Sequence, residues 1–544
     1  MYSPIPSSLV DLQRQTITPG KFLDLTIVNI AIPNMITKLH ASFDDVLWVI
    51  NAYALVLAVL VITGGRLGDL FGTRAMFAAG VALFTAASAA CGLAPSPGWL
   101  ITFRAVQGLG AALLMPQTLA IITMIFPPER RGAAFGIWGA VAGVATIAGP
   151  TLGGLLITAF DWRWIFFVNL PIGVAVLALT YVLIPVLPPG RKHRLDYTGV
   201  VLASAALLAI CYGLVEGQTY NWGTITGFIS IPLILGAGVV LLVAFGVSQW
   251  LQQGREPLVP FSVFRDRNFA LMNFVSGTLV IGMMGIFLPF TIYLQSVLGF
   301  SALKAGLAMA PASLISVFIA PVAGRLTDRI GGKYILITGL TLFAVGMGWM
   351  YLIARTTSSW QDFLPPLIVA GIGMGGTFAP LTTTAMRNVQ PQMAGAASGV
   401  LNTVRQVGTV IGTATVGALL QNQLVSSWAA DATTQTRGLP APVRAHVIAG
   451  FQDAAKSGLQ VGAGQSGAAV KLPPGSSPAL LHRIEEIGAS VFSHGFVTAM
   501  RWTAIMPVAI MLLSAASCLA IKRRQRGGTP APAQTPEQKT SAQA

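Results

Sequence analysis

Apolar runs of about 20 residues, the length that crosses the hydrocarbon core of a bilayer as a helix, recur along this chain with short polar links between them. They fall at 46–63, 75–94, 99–126, 133–158, 164–187, 197–216, 225–250, 269–297, 304–323, 334–354, 363–386, 396–424 and 497–521, and a weaker first run ends near Ile36. The pattern predicts fourteen spanning helices. Four of the links are short and nearly uncharged, as expected between antiparallel neighbours.

The polar links repeat. Gly65-Arg66-Leu67-Gly68-Asp69-Leu70-Phe71-Gly72-Thr73-Arg74 returns as Gly324-Arg325-Leu326-Thr327-Asp328-Arg329-Ile330-Gly331-Gly332-Lys333. Both copies read G-x-L-x-D-x-x-G-x-(K or R), and both sit between two apolar runs. The glycines permit a tight turn, and each Asp can accept from that turn or face the positive end of a neighbouring helix. Pro116 and Pro127 stand eleven apart, as do Pro380 and Pro391. A hairpin recurring once per half predicts two internally repeated bundles. Six spans lie in 22–187 and six in 269–521, while the two spans within 188–268 have no counterpart and read as an insertion.

Three segments depart from the pattern. Residues 425–495 form a long external link rich in Ala, Gly, Ser, Gln and Pro, expected to be partly flexible. Residues 522–544 begin with Lys522-Arg523-Arg524 and read as a basic, disordered tail that anchors to anionic lipid. Residues 1–21 place Gln13, Arg14, Gln15 and Lys21 where a first span should be apolar. Either that half is amphipathic and shielded by protein, or the start is mis-assigned; the second reading is preferred. No apolar stretch followed by a small-residue site marks a cleavable signal.

Composition agrees with a membrane protein. Of 544 residues, 54% are hydrophobic and only 9% charged, against about 25% charged in a soluble protein. The net charge of +15 would fit nucleic-acid binding if it formed a patch, but the basic residues sit in the links. With 64–74 taken as cytoplasmic, that side's short links and tail hold eighteen basic residues. The opposite links hold four: Lys38, Arg163, Lys304 and Arg355. This asymmetry places both ends of the chain in the cytoplasm. Cys91, Cys211 and Cys518 lie singly inside apolar runs and point to neither disulfide nor metal.

Ionisable residues inside a span are costly, so each is a functional candidate. Arg104 lies in a helix otherwise free of charge, although its distance from the span start also allows it to snorkel to an interface. Asp24 is the one carboxylate expected deep in the membrane. Burial penalises its charged form and a nearby Arg104 favours it, so conformational change or substrate arrival could load and unload a proton; the alternative is an Asp capping a broken helix. Arg405, between Asn402 and Gln406, serves equally well as an interhelical bond or a functional group. Gly149-Pro150-Thr151-Leu152-Gly153-Gly154 combines close packing with a kink. Trp162 and Trp164 suit the outer headgroup belt. Asn29, Gln107, Trp138, Asn402 and Arg405 are candidates for a substrate path. No phosphate-binding G-x-x-x-x-G-K-(S or T) occurs, and His40, His193, His446, His482 and His494 lie in links or at span edges. The chain reads as a gated path without a bond-breaking site, hence not an enzyme.

These residues together resemble the major facilitator superfamily, and within it the fourteen-span drug:proton antiporter family (EmrB/QacA-like). Gly65–Arg74 looks like the family's loop between spans two and three, and Arg104-x-x-Gln107-Gly108 resembles its fourth-span motif. Gly149-Pro150-x-x-Gly153-Gly154 is similar to its fifth-span antiporter motif. Asp24-x-Thr26-x-x-Asn29-x-Ala31-x-Pro33 and Trp162-Arg163-Trp164-x-Phe166-x-x-Asn169-x-Pro171-x-Gly173 recur in the fourteen-span group. The polar stretch before Asp24 departs from the family, and the later spans lack the added acids that some members use for dicationic drugs. The resemblance implies an all-α integral membrane protein with the major facilitator fold, two six-helix bundles plus two inserted helices. It implies proton-driven export of amphipathic compounds with no cofactor, by a monomer in the cytoplasmic membrane. A periplasmic adaptor enters only in a Gram-negative host. Asp24 and Arg104 would couple the proton, and Gly65, Asp69, Gly72, Arg74, Gly324, Asp328 and Lys333 would form a conformational latch. A dedicated exporter of one natural product is the alternative, and a non-transporting receptor or enzyme a remote one.

Overall fold

Each apolar run after the first forms a helix. A computed structural model describes residues 43–127, 130–185, 196–217, 222–252, 257–390, 393–438 and 478–522, with a few isolated positions including Met35, Lys38 and Leu39. In the first half these are α1 (Phe43–Phe71), α2 (Thr73–Gly92), α3 (Pro97–Ile125), α4 (Arg131–Ala159) and, after a single turn at Trp164–Phe167, α5 (Asn169–Leu183). The inserted pair is α6 (Tyr197–Glu216) and α7 (Ile231–Leu251). The second half contains α8 (Arg267–Ile292), α9 (Ala302–Ile330), α10 (Gly332–Ile353), α11 (Leu364–Met386), α12 (Ala394–Gln435) and α13 (Pro478–Ser517). Among the described residues, eleven helices are long and apolar enough to cross a membrane. The first predicted span, with Asp24 and Asn29, lies outside the described residues, as does nearly all of the basic tail.

Local signals explain the boundaries. Side chains of Asp196, Asp266 and Ser301 accept from the first free backbone N–H groups of α6, α8 and α9, satisfying donors that would otherwise be orphaned. The turn from α1 to α2 passes through Gly72 at φ 91°, and that from α9 to α10 through Gly331 at φ 88°. Those two left-handed positions are why the repeated hairpins carry glycine three residues after the Asp.

The halves pack alike. α3 lies against α1 and α2, and α11 against α9 and α10; Pro116 and Pro380 sit inside the equivalent helices α3 and α11. The halves meet where α1 packs on α12 and where α9 packs on α4. The inserted α6 lies beside α1 and touches α12, with Trp48 and Tyr212 rings 6.0 Å apart.

Three expectations need correction. The run at 225–250 begins with an antiparallel hairpin, β1 (Thr224–Thr226) and β2 (Ile229–Ser230), so its helix starts only at Ile231; Gly227 at φ 55° turns the strands. The link 425–495 is helical at both ends, because α12 continues to Gln435 and α13 begins at Pro478. Trp428 donates to the Phe492 carbonyl and packs on its ring, which gives these extensions an apolar seam. Burial there pushes the Asp431 carboxyl above its usual range, partly opposed by His494. Trp162 is fully buried rather than in a headgroup belt. The Arg163 guanidinium lies 4.6 Å from its ring centroid, while Trp164 is the exposed member of the pair.

Candidate functional site: the junction of the halves and two inner arginines

The repeated aspartates reach across from one half to the other. Asp69, near the end of α1, accepts from the backbone N–H of Gly395 at 2.9 Å and of Ala396 at 2.8 Å, the first turn of α12. Asp328, near the end of α9, accepts from Gly132 at 2.9 Å and Ala133 at 3.0 Å, the first turn of α4. Each carboxylate thus takes up two orphan donors at the positive end of a helix. The two contacts differ in depth: Asp69 is buried and Asp328 only half-buried.

Glycine makes this approach possible. A Cβ on Gly65 would stand 2.4 Å from the Gly395 carbonyl oxygen, and one on Gly324 would stand 2.1 Å from that of Gly132. At both places backbone lies on backbone, closer than any side chain permits.

Arg131 adds a third tie. Its Nη1 donates to the carbonyls of Met386 at 2.9 Å and Arg387 at 3.2 Å in the second half, while Nη2 and Nε donate to Thr123 and Phe126 in its own. One guanidinium therefore satisfies exposed carbonyls at the ends of α3 and α11. Ser398 on α12 donates to the Pro116 carbonyl of α3 at 2.9 Å. All of these bonds lie at the hairpin end of the bundle.

Arg74 and Lys333, expected in the latch, do not cross the junction. Arg74 donates to the Tyr181 carbonyl at 2.8 Å and lies over the Tyr181 ring, which ties α2 to α5. Lys333 donates to the Leu519 carbonyl beyond α13. Each cation caps the carbonyl end of the last helix of its own half, where the helix dipole favours it. Gly72 and Gly331 shape the turns.

Arg104 is not at an interface. It is 1% exposed; its Nε donates to the Val49 carbonyl at 3.0 Å and its Nη1 to Gln107 Oε1 at 2.6 Å. Its guanidinium lies 4.3 Å from the Tyr53 ring centroid. Gln107 Nε2 and Asn169 Nδ2 both donate to Ser88 Oγ, and Ser88 donates to the Phe166 carbonyl. This network joins α1, α2, α3 and α5 inside the first half. Its low-polarity surroundings strengthen every bond in it, and Gln107 serves there rather than on an open surface.

Arg405 has different surroundings. Its Nε donates to Ser276 Oγ of α8 at 2.9 Å and its Nη2 to Thr382 Oγ1 of α11 at 3.1 Å, with the Phe378 ring centroid 6.0 Å away. One turn earlier, Asn402 is buried and donates to the Ser398 carbonyl. Trp138 is 8% exposed and packs in the core cluster with Leu119 and Phe135, so it fills the junction rather than lining an opening. Gly149, Pro150, Gly153 and Gly154 fall within α4, which is helical throughout. Among the described residues no group of His, Cys, Asp or Glu could hold a metal ion.

The partner side of the junction escaped the sequence reading, although a signal was present. Gly132-Ala133-Ala134-Phe135-Gly136 recurs as Gly395-Ala396-Ala397-Ser398-Gly399, shortly after the repeated prolines, and these segments receive Asp328 and Asp69. Arg131 is, in the sequence, one of the eighteen basic residues on the hairpin side and carries no further mark. Ser88 and Tyr53, which complete the Arg104 network, carry no distinguishing pattern.

Comparison with known proteins agrees with this architecture. The Major Facilitator Superfamily model matches residues 21–413. The multidrug resistance protein Stp of Mycobacterium tuberculosis is 35% identical over 79% of this chain and 78% of its own length. The tetracenomycin C resistance and export protein of Streptomyces glaucescens is 34% identical over 74% of each. The solved structure of the proton:xylose symporter XylE shares the fold, with a TM-score of 0.55 at 13% identity over 83% of this chain and 95% of that one. Two repeated bundles joined by reciprocal contacts, with a family match over most of the chain, leave one assignment: this is a multi-pass membrane transporter, not an enzyme, and it belongs to the major facilitator superfamily.

Proposed function

We propose that the protein exports amphipathic drugs or toxic small molecules in exchange for protons, by rocking of its two halves about a central path. The observation that carries this reading is the reciprocal seal of Asp69 on Gly395–Ala396 and Asp328 on Gly132–Ala133. Such contacts close one end of the bundle and must break for that end to open, which is what alternating access requires of a bistable junction. The concentration of basic residues in the links on that side supports a cytoplasmic hairpin end in the cytoplasmic membrane. With the hairpin end closed, alternating access would have the path open on the opposite, outer face.

Export rather than import is supported by the relatives, a multidrug resistance protein and a tetracenomycin C resistance and export protein. Asp24 would carry the proton. Arg104, fixed by Val49, Gln107 and Tyr53, would supply a constant positive field that its protonation state answers. The proton gradient is then the sole energy source, with no cofactor, and one chain suffices. Everted membrane vesicles carrying the protein test this: a broad panel of lipophilic compounds should include some whose addition releases protons. Absence of release with every compound would sink the proposal. A dedicated exporter of one natural product is the second reading, favoured by the similarity to the tetracenomycin C exporter; resistance to several unrelated compounds on expression would exclude it.

A further inference from the structure

We propose that Arg405 is the docking point for an oxyanion, such as a carboxylate or an ionised phenol or enol, carried by the exported compound; this rests on the export reading above. An arginine within a membrane-spanning helix is expensive and normally pairs with an acid. Between Arg267 and Ala430 the chain has only two acids, Asp328 and Asp362. Asp328 is engaged by Gly132 and Ala133, and Asp362 accepts from Ser359 N in the turn before α11. Neither faces Arg405, and among the described residues Arg405 makes no ion pair.

Its protein partners orient it without neutralising it. Ser276 and Thr382 are neutral hydroxyls that hold Nε and Nη2. Among the described residues Nη1 makes no hydrogen bond, and it is not fully enclosed by protein. The residue as a whole is half-buried. Arg104 stands in contrast, sealed at 1% exposure.

Position agrees. Arg405 lies eleven residues beyond Ala394, about 16 Å along α12 at 1.5 Å per residue, near the middle of a hydrocarbon core about 30 Å thick. Gly395, Gly399, Asn402, Arg405 and Thr409 recur at the three- and four-residue steps of one helix face. The lower part of that face touches the first half at Gly65 and Ile62; Arg405 stands on the continuation of that face, six residues beyond Gly399. A guanidinium offers a planar fork that grips an oxyanion through two N–H groups, and Phe378 beside it gives the adjoining apolar body of the ligand a surface.

The test uses purified full-length protein in nanodiscs and three fluorescent amphiphiles of similar body: dansylamino-undecanoic acid, its methyl ester, and dansylcadaverine, a cation. The wild type should bind the acid about ten-fold more tightly than the ester, the scale of one charge-assisted contact. Arg405→Gln should bring that ratio to about one, and Arg405→Lys, which keeps the charge but not the fork, should retain part of the preference. Equal affinity for acid and ester in the wild type, or a ratio unaffected by Arg405→Gln, would overturn the assignment while leaving export standing. If the protein binds none of the three, the assignment of Arg405 falls, while export is judged separately by proton release in the vesicles.

Discussion

Replacing Asp69 by Asn isolates the seal. The carboxylate accepts from two backbone N–H groups at a helix start, and hydrogen bonds to a charged group contribute about 1.5–3 kcal/mol each where they are buried. Asn keeps one acceptor, loses the charge that the helix N-terminus favours, and turns an NH2 toward the second donor. The closed hairpin end should lose about 2 kcal/mol, a shift of about 30-fold toward opening. Asp328→Asn should shift it only about 5-fold, because that carboxylate is half-buried and water substitutes for part of its role. Phe71 and Gln390 are exposed on opposite halves at this end, so spin labels on Phe71→Cys and Gln390→Cys report the opening directly. The distance distribution should broaden to longer values for Asp69→Asn, less so for Asp328→Asn, and drug efflux should fall in the same order at equal membrane abundance. An unchanged distribution with unchanged efflux for Asp69→Asn would remove the seal from the mechanism.

Gly324→Ala should impair efflux without loss of abundance, because the added methyl meets the Gly132 carbonyl and forces the halves apart; the same spin-label distances check it. Arg131→Ala should weaken the closed state further than Arg130→Ala, since only Arg131 ties α3 to α11, and the comparison is read from efflux at matched expression. Arg104→Gln should lower thermal stability in detergent as well as transport, because a buried network loses its charged centre; normal stability with lost transport would assign Arg104 to coupling alone.

What could be read from the sequence followed from periodicity and repetition. Thirteen apolar runs became helices because membrane-spanning backbone must satisfy itself, and the doubled hairpin marks the two halves in the sequence itself. Asp69 and Asp328 were legible as acceptors for a helix terminus, but which helix was not, since a backbone N–H has no letter in a sequence. The repeated G-A-A-x-G segments were the available clue, hidden because small residues are common in all membrane helices. Arg74 and Lys333 share the motif with the aspartates yet face the other way, a distinction set by helix rotation rather than spacing. The length of α12 and α13 beyond the bilayer was missed because Ala- and Gln-rich sequence permits helix without the apolar run that marks a span. Trp162 misled because aromatic residues near a span end usually mark an interface, whereas here one ring is covered by Arg163.

Proton-driven export itself is tested most directly in proteoliposomes, with transport of a compound that releases protons in the vesicle panel followed against an imposed pH gradient for the wild type and Asp24→Asn. The account predicts that wild-type transport rises with the gradient and releases protons in step with the compound, and that Asp24→Asn still binds that compound but no longer responds to the gradient. Full pH dependence in Asp24→Asn would contradict the assignment of coupling to this residue, and gradient-independent transport by the wild type would contradict antiport.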